Sequence, residues 1–383
     1  KNHLSRNKKR AIIRFKSKQV ELVMTNKQTA KAGNNSHQIQ IGTATFTGVD
    51  EKRVREIVDE KLLIALKDFS EEANKIAVQR SGQFNDKLIN RVLTEDLLHA
   101  FADPSSQLLL IEAQKHAAST ERESDYNLLS ELMVYRFKEG MNRNIRAGVS
   151  RAIEVVDQIS DEALLALTVY HALAYFTSAA GNMQVGFKAL DSLFGKLFYA
   201  ELPTGTEWLD HLDILDTVRI SNFGGMKLLE DYWYESFDGY VKKGIKVDSD
   251  NYKEVGKLLV EEPQLAGLLV KNSFDMNYVK IEVSNKHQID QRDIAVTDYK
   301  GIVRNRPLHD SEITVLEEIY DLYDGQCMDK QDFISEIEKY SNLKKLREWW
   351  NTLSEYSIQI TSVGKALAHS NAQRIDKNLP PLD

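Results

Sequence analysis

Apolar residues along this chain recur mostly at spacings of three and four, and only a few short stretches alternate with period two. The first spacing is that of a helix with one buried face, the second that of a strand. Residues 37–48 alternate: Ile39, Ile41, Ala44 and Phe46 lie between polar neighbours, with a change of phase at Gly42. They predict a short β tag, too small to stand without a partner. Asp50 is a good helix N-cap, and a run without proline follows it. Val54, Val58, Leu62, Ala65, Phe69, Ala73 and Ile76 are spaced 4-4-3, and Phe84, Leu88 and Val92 extend the stripe. The pattern predicts one long amphipathic helix over residues 49–96. An eleven-residue repeat keeps such a stripe nearly straight. The helix can pack on its own domain, or, following a β tag, it can oligomerise. In the second reading Ile39, Ile41, Val54, Val58, Leu62 and Phe69 are the contact residues.

Residues 97–285 read as helix after helix, a multi-helix body. Ser160 and Asp161 cap a segment that is apolar almost all round for about 19 residues, long enough to raise the question of a membrane span. Tyr170, His171, Tyr175 and the capping acids favour a central buried helix instead. His171 is then a core or groove histidine. The run Tyr232, Trp233, Tyr234, Phe237, Tyr240 is strongly aromatic, and Tyr232 and Tyr234 are candidate groove residues with His171. Residues 278–283 alternate like a strand. Residues 286–309 are polar and irregular and read as a linker. Residues 310–373 give three helices, a strand over 357–361 and a closing helix, the outline of a winged-helix-like module. Residues 374–383 form a polar tail. The fold class is therefore mainly α: a β tag, a long helix, a helical body and a small C-terminal module.

Composition supports long helices, since 383 residues contain only six prolines and 19 glycines. The single cysteine, Cys327, excludes a disulfide framework and a cysteine-based zinc site. Net charge is −7 but uneven: residues 1–23 hold eight Lys/Arg against one acid, leaving −14 on the other 360. A basic arm suggests nucleic acid or an anionic membrane. A second origin is open, because the segment Val20–Met24 can be encoded with a GGAG run shortly before an AUG. On that expectation residues 1–23 are translated leader, the native start is Met24, and residues 1–36 as a whole are disordered. The remaining acidic body would repel phosphate and argues against nucleic acid and membrane as partners.

Chemical signals are weak. Arg304 and His309 fit the Arg-polar-x-x-x-His pattern of HEPN-type ribonucleases, in which His does acid/base work and Arg stabilises phosphate charge. That pattern belongs on a helix, and Pro307 interrupts it here. Asp210, His211, Asp213 and Asp216 cluster acids in one region, and a solvated acidic face explains them as well as a metal would. No phosphate-cradling glycine loop, nucleophile elbow or zinc-protease motif occurs. No metal or cofactor is expected.

Several stretches nevertheless resemble one uncharacterised bacterial helical family: residues 33–42 (GNNSHQIQIG), residues 160–167 (SDEALLAL), Phe223-Gly224-Gly225, Tyr232 with Phe237 and Gly239, and residues 358–368 (IQITSVGKALA). The last stretch is also similar to the ending of abortive-infection alpha-type proteins. The resemblance implies a bacterial, cytoplasmic, defence-linked protein and carries no catalytic residues. The expected function is a non-enzymatic, oligomerising sensor or effector scaffold acting through itself and protein partners. The alternatives are a HEPN-like ribonuclease using Arg304 and His309, and a membrane-acting effector using helix 163–181.

Overall fold

The computed structural model describes residues 11–13, 49–139, 142–221, 223–297 and 303–382. The expected tag, with Ile39 and Ile41, lies outside the described residues, and so does the leader except for strand β1 (Ala11–Ile13). The protein is mainly helical and divides into two compact units, one of residues 14–158 and one of residues 159–383 with β1. The division after Gln158 cuts through the stretch read from sequence as a single helical body.

The first unit holds α1 (Glu51–Ala65), α2 (Glu71–Thr94), α3 (Pro104–Ser119), α4 (Glu123–Lys138) and α5 (Arg143–Val155). The single helix expected over 49–96 is thus two. α1 ends at Leu66, and Ser70, in extended conformation, accepts the Ala73 N–H and restarts the helix. A serine side chain that satisfies an orphan N–H makes a new start cheap. The break lets α1 and α2 both pack against α3. This packing corrects the intermolecular role given to the stripe. Val54 and Val58 are buried inside the unit, and Leu62 packs against Ala65, Leu66, Ile111 and Ala118. Phe69, at the corner, stays exposed. A polar seam runs through this core: Ser81 Oγ donates to the Gln114 carbonyl (3.0 Å), and Gln114 Nε2 donates to the Val58 carbonyl (3.0 Å) and Asn85 Oδ1 (3.1 Å). Arg91 grips the buried Glu131 with two bonds of 3.0 and 3.1 Å.

The second unit begins with α6 (Asp161–Tyr175), β2 (Phe176–Ser178), α7 (Met183–Leu197), α8 (Glu207–Ile214), β3 (Val218–Ser221), α9 (Leu229–Ser236) and α10 (Asp238–Val241). β1 pairs in parallel with β2. There follow β4 (Ile245–Lys246), α11 (Asp250–Glu261), β5 (Leu269–Lys271), β6 (Tyr278–Ile281), β7 (Asp293–Thr297) and β8 (Val303–Pro307). Last come α12 (Asp310–Asp321), α13 (Lys330–Glu338), α14 (Ser341–Asn351), β9 (Ser357–Ile360) and α15 (Ser362–Ile375).

Three expectations change here. The apolar run at 163–181 is helical only to Tyr175, where Phe176 turns extended. Fifteen helical residues span about 22 Å, short of the ~30 Å of a bilayer core. No helix among the described residues is long and apolar enough to cross a membrane. The helix is apolar all round because α15, α7 and α8 surround it. The expected linker is structured: residues 286–291 form a 3-10 turn, and β7 and β8 pair as an antiparallel hairpin whose Ile294 joins the core.

The expected C-terminal module is not a separate body. α12 buries Leu316, Ile319 and Tyr320 in a core shared with β4, β6 and α11. α14 lies on α7, β9 pairs antiparallel with β3, and α15 lies on α6. The polar tail is packed as well, since Leu379 and Leu382 are buried. The apolar faces of α12, α14 and α15 are thus met by elements distant in sequence, namely β4, β6 and α11, α7, and α6 respectively.

Candidate functional site

Serine caps α6 through the Ala163 N–H, and His211 accepts the Ser160 N–H (3.1 Å), so α8 anchors the helix start. From that start the spacing of α6 sends Thr168, His171 and Tyr175 toward α15. Thr168 Oγ1 accepts from Asn371 Nδ2 at 2.9 Å inside the seam. His171 Nε2 lies 3.2 Å from His369 Nδ1, and His369 Nε2 lies 3.0 Å from the Pro380 carbonyl. A carbonyl only accepts, so His369 carries its proton on Nε2, and His171 must donate to the free Nδ1. Tyr175 stacks on His171 at 5.0 Å, and Phe176 closes the box edge-on. Burial pulls His171 down to about 3, with the neighbouring His369 adding to the effect, and burial pulls His369 down to about 4. Both rings are therefore neutral in ordinary buffers. The pair is a positioned polar link, with three of its four nitrogens engaged by protein groups.

His171, Tyr232 and Tyr234 do not share a groove. Tyr232 and Tyr234 leave α9 on opposite sides, as residues two apart on a helix must. Tyr232 and Tyr170 both stack with Trp350, at 6.1 and 5.0 Å, each 17° from parallel. Tyr170 Oη donates to the Ile358 carbonyl (2.9 Å), and Trp350 Nε1 donates to the Lys227 carbonyl (2.9 Å). This three-ring stack joins α6, α9 and α14. Trp350 was legible only as half of an adjacent tryptophan pair, because its stacking partners lie more than 100 residues away in sequence. Tyr234 packs edge-on against Phe333 (5.4 Å) and donates to the Met328 carbonyl (2.5 Å), and burial pushes its phenol up.

Beyond Tyr234 opens a cleft of about 550 Å³ between α13, the β5–β6 turn and the loop holding Cys327. Tyr240, Phe274 and Met328 give it apolar wall; Lys243, Asp332, Glu336 and Lys339 give it charge. Two of the charges are neutralised locally, Lys243 by Asp275 (3.2 Å) and Lys339 by Glu336 (2.5 Å). Nearby, Lys280 Nζ donates to the Gly239 (2.7 Å) and Tyr240 (3.2 Å) carbonyls, and burial draws it down to about 8. Its role is to terminate α10 from within the sheet.

The Arg304–His309 pattern is also corrected. Arg304 lies on β8, and His309 is the exposed N-cap of α12, so no helix carries the two. The carboxylate at their centre serves folding. Glu312 takes two bonds from Arg306 (2.6 and 2.7 Å) and one from the His309 N–H (2.8 Å). The Arg306 hydrogen bonds hold it down at about 2. Among the described residues no group of three or more His, Cys, Asp or Glu side chains could hold a metal ion, and Asp210, Asp213 and Asp216 form no such site.

The first unit offers a different kind of surface. Around the α1–α2 corner Leu63 (77%), Ile64 (51%), Phe69 and Ile76 are each exposed. Lys61, Lys67, Asp68, Glu71, Glu72 and Lys75 border them, and none makes an ion pair among the described residues. Sequence reading placed the apolar stripe of this region but assigned its buried face to association. Leu63 and Ile64 lie off that stripe, whereas Phe69 and Ile76 belong to it and are left exposed about the corner.

No curated protein and no solved structure matches the chain. A protein-family model described as ":-like" matches residues 48–380. That match covers well over half of the sequence and both folded units, and the chain belongs to this family.

Proposed function

We propose that this protein is a non-enzymatic, self-associating scaffold that acts through protein contacts, with the α1–α2 corner as its association surface. The observation that carries the reading is the exposed apolar group Leu63, Ile64, Phe69 and Ile76, set among unpaired charges of both signs. A second copy is the occupant that fits. In a two-fold interface the same patch faces itself, so a surface bordered by charges of both signs can pair with its own copy. Lys61 and Lys67 lie toward α1, and Asp68, Glu71, Glu72 and Lys75 lie toward α2. Contiguous exposed apolar residues rimmed by polar ones are the usual mark of such a contact. The bacterial, cytoplasmic and defence-linked setting is part of the same proposal. It rests on the resemblance of residues 358–368 to abortive-infection alpha-type endings.

Removing residues 24–92 would be a poor test, since α1 and α2 supply buried core residues of their unit such as Val54, Val58, Phe84 and Leu88. Light scattering on the full chain is the better one. The chain should show a mass that is a multiple of 43.7 kDa. Leu63→Glu with Ile76→Glu should return it to a single chain with unchanged helix content. A wild-type chain that is monomeric at micromolar concentration, or a double variant of unchanged mass, would refute the proposal.

A further inference from the structure

We infer that the groove at the meeting of α6 and α15 is a recognition site for extended peptides of the type apolar-Pro-Pro-apolar, held in this structure by the chain's own Leu379-Pro380-Pro381-Leu382. Three consecutive carbonyls of that segment are read by side chains rather than by backbone. Gln373 Nε2 donates to the Leu379 (3.4 Å) and Pro380 (3.3 Å) carbonyls. His369 Nε2 reaches the Pro380 carbonyl at 3.0 Å, and Tyr175 Oη donates to the Pro381 carbonyl at 3.3 Å. The flanking Leu379 and Leu382 are buried, whereas Pro381 between them is exposed.

Proline lacks an N–H and favours the extended PPII form, so such a segment can be bound only through its carbonyls and its side chains. An aromatic wall with a few donors aimed at carbonyls is the general solution to that recognition problem. Here Tyr175, Phe176 and His369 form the wall, with ring centroids 5.3–5.6 Å apart. The His369 ring is also contacted from behind by His171, so it is positioned by α6 as well as by the segment. The segment is secured at its start by Lys196 to Asp376 (2.6 Å). Beyond that point every side-chain donor that grips it comes from α6 or α15. The ligand class is thus a peptide in trans that presents two aliphatic anchors around two prolines, and the resident segment is its tethered competitor. This inference is independent of association through the α1–α2 corner.

The test is fluorescence anisotropy with a labelled Lys-Asn-Leu-Pro-Pro-Leu peptide, using the full chain. A tethered competitor acts at an effective concentration near the millimolar range. The unsubstituted chain should therefore bind the peptide weakly, and Leu379→Asp with Leu382→Asp should bind it at least tenfold more tightly. The milder Leu382→Ala should show the same direction and guards against loss of fold in the double variant. Adding Gln373→Ala or Tyr175→Phe should weaken the gained binding severalfold, and a peptide with both leucines replaced by Asp should not bind. If folded variants with a dislodged segment take up no peptide, or if binding ignores Gln373 and Tyr175, the inference is overturned and the segment is a permanent part of the core.

Discussion

His171 and His369 show how a single residue type changes meaning with its surroundings. Each is held neutral by burial, with its folded value well below the ordinary 6.5. Between those values and 6.5 the unfolded chain binds more protons than the folded one, so the pair's contribution is fully present above pH 6.5 and is lost as pH falls below it. Each histidine contributes a slope of at most about 1.4 kcal/mol per pH unit in that window. Lys365 on α15 and Tyr175 on α6 face the pair, and the Lys365 charge adds to the cost of protonation. Urea unfolding at pH 7 and pH 5.5 should show a marked loss of stability, and His171→Phe should roughly halve the slope while lowering stability at pH 7. An unchanged slope would show that the titration belongs to other groups. In sequence, His171 on an apolar helix was recognisable as a core or groove histidine. Its partner 198 positions away was not, because nothing local to residue 369 distinguishes a buried imidazole from an exposed one.

Elements meet here at close range, and glycine marks one such place. The Thr361 hydroxyl caps α15 through the Gly364 N–H, and the first turn of the helix then passes over β3. A Cβ on Gly364 would come within 2.1 Å of the Thr217 carbonyl. Gly364→Ala should therefore push α15 off β3 and destabilise its unit by about 3 kcal/mol, read as a lowered urea midpoint. The Arg91–Glu131 link between α2 and α4 is the corresponding point in the other unit. Arg91→Ala leaves Glu131, which is 5% exposed, without its main partner and should cost roughly 3 kcal/mol. Helix existence and type were readable at this scale from periodicity and caps, as at Asp50 and Ser160. Helix ends were less so: the Leu66–Ser70 break and the end of α6 at Tyr175 interrupt patterns that continue in the sequence.

Two units with separate cores imply that the molecule does not unfold in one step. Calorimetry should resolve two transitions, with Arg91→Ala moving one and Gly364→Ala the other; a single transition shifted equally by both would contradict that division. The reading of the 163–181 run as a central buried helix finds its reason at this scale, because the helix is surrounded by α15, α7 and α8. Local pattern sufficed for the helical class, most helix starts, the buried character of α6 and the β9 strand, since these depend on spacing and capping within a few residues. The tertiary structure alone decided which apolar faces belong together. It dispersed the last five elements over the second unit, made a hairpin of the apparent linker, turned Val54, Val58 and Ala65 of the 49–96 stripe inward and left Phe69 and Ile76 of the same stripe exposed. The physical reason is that burial is non-directional: an apolar stripe states that it needs a partner, and long-range packing supplies which one.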